Sequence, residues 1–368
     1  MSKLFDRSLM QHQDLALRQN RLRIQEIALL PEQALEEDVS PRLLERIQPL
    51  SRQILEAQQK GAAIICAFGA HAIKNGLGPL LAAFLKRGWF THLATNGAGI
   101  IHDWEFAYQG KSSEDVKANV LQGSFGTWQQ TGLYINLSIS LGAYEGLGYG
   151  QSVGAMINRQ GLSIPDQQQL EEDIKSHSLL WKRAAAADLL LSLQTLGIPS
   201  GFLSIPHPYK EASLQASADE VGFPLTGHPM FGHDIIYTHQ ASSGAAIGRT
   251  AERDFLSFVN SVSQLQNGVY LSVGSGVMSP MIFEKSLSMA RNAGKAEGNR
   301  LTDAQLFVVD LQPETWDWTK GEPPESNPAY YQRFMKTFHR MGCPVDYLCA
   351  DNRLFFQGLY QSLHKASS

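Results

Sequence analysis

Phe90-Thr-His-Leu-Ala-Thr-Asn-Gly-Ala-Gly-Ile-Ile-His-Asp-Trp-Glu105 is the stretch whose reading decides the fold. It opens as a short apolar run, breaks at Asn96-Gly97-Ala98-Gly99 and resumes in a pattern that winds as a helix. A strand that ends in small residues and enters a helix leaves backbone N–H groups exposed at the helix start, a setting suited to phosphate. A lone Gly-Ala-Gly turn is equally compatible with an ordinary tight β-α connection. His102 and Asp103 add two polar side chains just beyond it.

Upstream, Ala62-Ala-Ile-Ile-Cys-Ala-Phe68 is a continuous apolar run of strand length, as expected of a strand buried on both faces. Gly69-Ala-His-Ala-Ile-Lys-Asn-Gly-Leu-Gly78 follows it. The segment 79–87 then reads as a helix with Leu80, Leu81, Phe84 and Leu85 on one face. This β-α-β unit calls for parallel strands joined by a right-handed crossover. Ligands of such sheets lie beyond the carboxyl ends of the strands, where the turns 69–78 and 95–103 both fall.

Downstream the alternation continues. Helices are expected over 112–121 (capped by Ser112 or Ser113), 178–196, 212–221, 249–262, 281–292, 328–340 and 354–363. Strands are expected within 223–234 and over 269–273, 306–310 and 345–350. The glycine-rich segment 123–154, with aromatics from Phe125 to Tyr149, suits either a lid or interface or ordinary packed helices. The pattern predicts one doubly wound α/β domain over 61–368, with a mostly parallel sheet and helices on both faces. Residues 1–60 read as a helical extension, with amphipathic helices over 18–27 and 42–57.

The chain has 368 residues, 43% hydrophobic and 18% charged, which is ordinary for a soluble globular protein. A formal charge of −4 and the lack of any Lys/Arg run argue against a nucleic-acid partner. No apolar signal region opens the chain and no membrane-length apolar run interrupts it, so a cytoplasmic protein without membrane contact is expected. Cys66, Cys343 and Cys349 have no C-x-x-C spacing and read as buried thiols in a reducing compartment.

The recurring device is a strand, then small or polar residues, then a helix, at 69–78, 95–103 and 274–280, with a polar variant at 350–352. Several such mouths along one sheet edge suit an extended phosphate-bearing ligand such as a dinucleotide. The G-x-G-x-x-G fingerprint is absent, since Gly97-Ala-Gly-Ile-Ile-His102 and Gly274-Ser-Gly-Val-Met-Ser279 both lack the last glycine. His71, His102, His207, His228, His233 and His239 fall in or near expected loops, but no H-E-x-x-H or Cys/His cluster predicts a metal. His228, His233 and Asp234 form the most polar part of the middle loop. Lys336, in Arg333-Phe-Met-Lys-Thr-Phe-His339, is either a desolvated amine nucleophile or a surface lysine lying along an apolar stripe.

With these pieces in place, the sequence resembles the deoxyhypusine synthase family. Thr95-Asn-Gly-Ala-Gly-Ile-Ile-His-Asp103 is similar to that family's Thr-Thr-Ala-Gly-Gly-Val-Glu-Glu-Asp turn. Ala72-Ile-Lys-Asn-Gly-Leu77 resembles its Leu-Ile-Ser-Ser-Gly-Leu, and Asp234-Ile-Ile-Tyr-Thr-His239 its Asp-Met-Ile-Phe-Phe-His. Val273-Gly-Ser-Gly-Val277 stands where the family has a glycine triplet and valine. Cys349-Ala-Asp-Asn-Arg-Leu-Phe-Phe356 is similar to Tyr-Ala-Asp-Ala-Ser-Leu-Val-Phe. The resemblance implies an NAD site of His71, Asn75, Thr95, Asn96, Gly97, Gly99, Asp103, Gly274, Ser275, Gly276, Asp351 and Asn352. It also implies catalytic roles for Lys336, Asp234 and His233, and substrate contacts from His102, His228 and Asp317.

The activity implied is NAD-dependent chemistry on a polyamine or other small amine, with aminoalkyl transfer through a lysine imine, in a homotetramer. Several motifs depart from the family: Trp-Gly-Lys is here Phe334-Met-Lys336, and Lys-His-His after the glycine triplet is Met278-Ser279-Pro280. Spermidine and a protein acceptor are therefore not carried over. The competing expectations are an NAD-dependent oxidoreductase or lyase that uses no lysine imine, and a non-catalytic, nucleotide-binding oligomer.

Overall fold

The computed structural model describes residues 3–295 and 301–367. Ten strands are present in these residues. In chain order they are β1 (Leu22–Arg23), β2 (Ile64–Phe68), β3 (His92–Asn96), β4 (Lys111–Ser112), β5 (Gly161–Ile164), β6 (Gly201–Ser204), β7 (Leu225–His228), β8 (Val269–Val273), β9 (Gln305–Asp310) and β10 (Val345–Cys349). The chain divides into two compact units. One comprises residues 1–26, 100–221 and 227–254, the other 27–99, 222–226 and 255–368. This division differs from the expected helical extension followed by one domain. Residues 1–26 belong with 100–221, while 27–60 belong with the sheet.

The sheet unit carries six strands in the order β10-β9-β8-β2-β3-β7. The pairs β10/β9, β9/β8, β8/β2 and β2/β3 are parallel, with Ile64 opposite Val269 and Ala67 opposite both Ala94 and Ser272. β2 and β8 are buried along their whole length, which requires cover on both faces. One face packs Ile65, Ala67 and Tyr270 against Phe258, Phe283, Met335 and Phe338. Elsewhere in the unit the helices Pro41–Gln59, Gly78–Lys86 and Asn352–Ser367 pack together, with Phe84 ringed by Phe90, Phe356 and Tyr360.

Renumbered along the sheet in chain order, the strands run 6-5-4-1-2-3. That is the doubly wound arrangement whose order reverses between its first and fourth strands, here β2 and β8. The fold is Rossmann-like.

The other unit is mainly helical, with Gln129–Glu145, Tyr149–Arg159, Leu180–Leu196 and Leu214–Glu220, and two small antiparallel pairs, β1/β4 and β5/β6. Segment 123–154 therefore contributes packed helices. Gly154 makes the crossing of Tyr149–Arg159 and Leu214–Glu220 close, since a side chain there would press on the Gln215 carbonyl.

Two local expectations change. Segment 18–27 is not one amphipathic helix. Arg18 turns inward to a buried ion pair with Glu105, and the chain continues as β1 and the short helix Ile24–Ile27. Ser112 does not cap a helix; it lies in β4, and Asp115 caps Val116–Gln122 by accepting from the Ala118 amide. Of the cysteines, Cys66 and Cys343 are buried but Cys349 is exposed, because it ends edge strand β10. Among the described residues, no helix is long and apolar enough to cross a membrane.

Candidate functional site

In the sheet unit, the carboxyl ends of β2 and β8 meet at the point where the strand order reverses. The Gly69 amide donates to the Val273 carbonyl at 3.0 Å, tying the turn after β2 to the end of β8. A Cβ on Gly69 would overlap the Gly274 carbonyl oxygen, so only glycine lets the two turns close on each other. Gly274 takes φ +57° and, like Gly276, is exposed. This is uncovered backbone that a phosphate group can approach closely. Ser275 is buried and its Oγ accepts from the Ser279 amide at 3.1 Å, anchoring the turn to the helix Met278–Gly294.

Asn75 and Asn352 complete this mouth. Asn75 Nδ2 donates to Asn352 Oδ1 at 2.7 Å, and Asn352 Nδ2 lies about 4.0 Å from where a Gly274 Cβ would be. The Asn75 carbonyl is held by Arg353, which also binds the Ile27 carbonyl. Asp351 is spent on the helix that follows, its Oδ1 accepting from the amides of Arg353 and Leu354. His71 is exposed on the short helix after Gly69.

The turn after β3 is more self-contained. Thr95 is buried and donates to the Phe68 carbonyl at 3.0 Å. Gly99 must be glycine, because a Cβ would overlap Thr95 Oγ1. Asn96 Oδ1 accepts from the Gly99 amide at 2.9 Å, so this amide is satisfied within the protein. Asn96 also ends the second strand of the doubly wound order, where the dinucleotide-binding fingerprint places an acid for the ribose hydroxyls. With Gly97, these residues sit on the same sheet edge as Gly69 and Gly274.

Asp103 belongs to the other unit and is not available to a cofactor. It is 2% exposed. Its oxygens accept from Ser213 Oγ, the Leu214 and Gln215 amides and Gln215 Nε2, which fastens the start of helix Leu214–Glu220. Burial raises its pKa, and these hydrogen bonds oppose the rise.

The helical unit also holds Asp234, His233 and His228. Asp234 is largely buried and its Oδ2 has no hydrogen-bond partner. Burial pushes its pKa up to about 6, against the Met230 amide and His233, which lower it. The Tyr149 and Tyr237 hydroxyls are likewise buried without a partner. Both phenols have raised pKa values, first through burial and then through the Asp234 charge. Tyr237 stands inside the Asp234–His239 motif and Tyr149 ends the aromatic series of segment 123–154, but the sequence singles out neither as a site residue. His233 is exposed, while burial pushes His228 down to about 3 and keeps it neutral.

Lys336 is half-buried, but not among apolar groups alone. Its Nζ lies 3.9 Å from Glu322 Oε2 and 3.5 Å from the centre of the Tyr330 ring. The apolar surroundings that would activate its amine are therefore absent. Asp317 is exposed. It caps the turn Trp318–Lys320 and pairs with Lys320 at 3.5 Å. Among the described residues, no group of three or more His, Cys, Asp or Glu side chains is placed to hold a metal ion.

No family model and no curated protein matches the chain. Solved structures match with low similarity. AgrE, in its ternary complex with ornithine and NAD+, is 12% identical with a TM-score of 0.43, covering 89% of this chain and 34% of that one. A conserved protein from Methanococcus maripaludis S2, described as of LOR/SDH type, is 11% identical with a TM-score of 0.45, over 92% of this chain and 74% of that one. ArgZ, an arginine dihydrolase from the ornithine-ammonia cycle in cyanobacteria, is 11% identical with a TM-score of 0.43, over 90% and 33%. The chain spans about a third of the length of AgrE and ArgZ. These structures are not deoxyhypusine synthases and no family model places the chain in that family, so the expected membership is corrected. Short motifs in the right order, with mismatched flanks at Lys336 and Met278, did not amount to a family relationship.

Proposed function

We propose that the protein is an NAD-dependent enzyme acting on a small amine, as an oxidoreductase or lyase. The observation that carries the dinucleotide reading is the junction of the Gly69 and Gly274 turns at the reversal of strand order between β2 and β8. The residues there fit the cofactor. Exposed Gly274 and Gly276 backbone would admit the pyrophosphate, and the Asn75–Asn352 pair offers amide donors and acceptors beside it. Asn96, in place of an acid, would contact a ribose hydroxyl as an amide. NAD, when bound, supplies a hydride acceptor.

The amine reading rests on the helical unit. Three buried, unpartnered oxygens belong to Asp234, Tyr149 and Tyr237. Leaving such a group unsatisfied costs about 1–3 kcal/mol. A primary ammonium, with three N–H donors, would satisfy oxygens of this kind, and the carboxylate would balance its charge. Lys336 has no part in this reading.

Calorimetric titration with NAD tests the first half, and micromolar binding by the full chain is expected. No heat with NAD or NADH would reject it. A panel of primary amines, from monoamines to diamines and basic amino acids, tests the second half by thermal shift. Stabilisation that disappears in Asp234→Asn is expected, and a shift that persists unchanged in that variant rejects the assignment.

A further inference from the structure

The turn that presents Asp234 and Tyr237 is weakly built in itself. Ile235–Thr238 is a single 3-10 turn, and the bonds around it are long. The Tyr237 amide reaches the Asp234 carbonyl at 3.3 Å and the His239 amide reaches the Ile236 carbonyl at 3.4 Å. Asp234 Oδ2 is buried without a partner, so a turn left to itself would swing the carboxyl out to water. The hold has to come from outside the turn.

Three elements of the helical unit supply it. Asn136, on helix Gln129–Glu145, donates from Nδ2 to the Ile236 carbonyl at 2.9 Å. Thr238 Oγ1 lies 2.9 Å from the Gly126 carbonyl. The third hold comes from the start of the chain. Arg7 Nη1 carries two hydrogens and reaches two carbonyls, those of Tyr237 and His239, each at 3.3 Å. His12 of the same segment packs its ring against that of His239, with the centroids 4.5 Å apart. His239 is itself fixed. Its Nδ1 accepts from the Ala241 amide at 3.0 Å, which leaves Nε2–H to donate to Gln129 Oε1 at 3.2 Å.

Apolar burial does not explain why segment 3–12 lies where it does. Leu4, Phe5 and Leu9 are 85%, 72% and 71% exposed. The ties made by Arg7 and His12 both fall on residues 237–239, so the segment runs as a strap across the end of this turn.

We infer that Arg7 is a positioning residue of the amine site, fixing through the Tyr237 and His239 carbonyls the turn that presents the Asp234 carboxyl and the Tyr237 hydroxyl. The inference rests on the amine reading and adds the N-terminal segment to it. Buried oxygens kept free for an ammonium are unfavourable while the site is empty, and a clamp keeps the turn from relaxing until the ligand arrives. Arg7 acts through the backbone and not by touching the ligand.

Thermal-shift titration of the full chain with the primary-amine panel, alongside Arg7→Ala and Arg7→Lys, tests this together with hydrogen exchange of the peptide covering 230–241. Arg7→Ala is expected to keep the parent's urea midpoint and to exchange faster in this peptide. It should bind the amine about tenfold more weakly, the effect of losing two hydrogen bonds of ordinary strength. Arg7→Lys retains a donor group and should recover part of the affinity. If an amine stabilises the parent and Arg7→Ala binds it equally well, the inference is overturned and the amine reading stands. Unchanged exchange in Arg7→Ala also overturns the inference, whatever the amine result. A parent that no amine stabilises rejects the amine reading, and the inference with it.

Discussion

Gly69 and Gly274 approach each other so closely that one added methyl group on Gly69 would overlap the Gly274 carbonyl oxygen. The obstacle is backbone, which cannot rotate away as a side-chain tip would. Gly69→Ala is therefore expected to destabilise the sheet unit by about 1–3 kcal/mol, the range for overpacking, and to abolish NAD binding. Gly276→Ala separates the two effects. Its Cβ would meet Phe334 Cδ1 at 3.7 Å, an ordinary contact, and its φ is not left-handed. Urea unfolding should leave Gly276→Ala near the unaltered protein, while calorimetry shows weaker NAD binding. Equal NAD affinity in both variants and the parent would remove the site from this turn.

The strands and their turns were largely legible. The apolar run 62–68 announces a strand buried on both faces, and Ile64–Phe68 is one; 269–273 reads only as a strand, and Val269–Val273 is likewise buried along its length. Strand order was not legible, because it depends on which edge each crossover chooses, and no local residue encodes that choice. The missing last glycine of the fingerprint counts only against an orthodox Rossmann site, and the doubly wound sheet itself is as expected. The site instead joins two turns about two hundred residues apart in sequence, each supplying part of the close approach. Asp103 looked like a ligand residue because its four hydrogen-bond donors come from residues 213–215, far along the chain.

Asp254 gives a pH dependence with a defined sign. It is 4% exposed, and its Oδ2 accepts from the amides of Gly150 and Gly227 with no cation beside it among the hydrogen bonds described. Burial raises its pKa from 3.8 to about 7, against the pull of those amides. Between these two values the folded chain keeps a proton that the unfolded chain releases, so stability falls as pH rises through that window and levels off above it. At about 1.4 kcal/mol per pKa unit, the effect is on the order of 4 kcal/mol. Asp254→Asn keeps an acceptor for both amides and removes the titration. Urea unfolding at pH 5 and pH 8 should show a smaller difference in the variant than in the parent.

Arg18 and Glu105 are 2% and 1% exposed at their side chains. Arg18→Ala leaves a carboxylate in the interior with the Ser112 and Thr131 hydroxyls and the His102 ring beside it but no guanidinium. The expected loss is about 3–5 kcal/mol, as for other broken buried pairs. Replacing both residues with apolar ones, Arg18→Met with Glu105→Leu, should recover part of it, since no charge is then stranded. Denaturant midpoints of the single and double variants decide this, and a double variant no better than the single one would contradict the account.

Lys336 offers a prediction of little effect. Its partners, Glu322 and the Tyr330 ring, form a partly exposed cluster with Arg340. Interactions of that kind contribute about 0.5–1 kcal/mol. Lys336→Ala should therefore keep its affinity for NAD and lose no more stability than that. A variant that binds NAD normally but loses turnover of an amine substrate would restore a chemical role for this lysine.

Tyr149→Phe puts the amine site to a test that needs no known substrate. The Tyr149 side chain is fully buried, and its hydroxyl has no hydrogen-bond partner in the protein. If that oxygen is kept for a ligand, removing it takes away a desolvation cost that the ligand-free protein bears. The variant should be more stable than the parent by about 1–3 kcal/mol, while the stabilisation given by a primary amine shrinks. Functional groups held against their own preference for solvent produce this opposition between stability and binding. If Tyr149→Phe is instead less stable, the hydroxyl is already satisfied in the ligand-free state. The cluster with Asp234 and Tyr237 would then be a structural network and not a binding site.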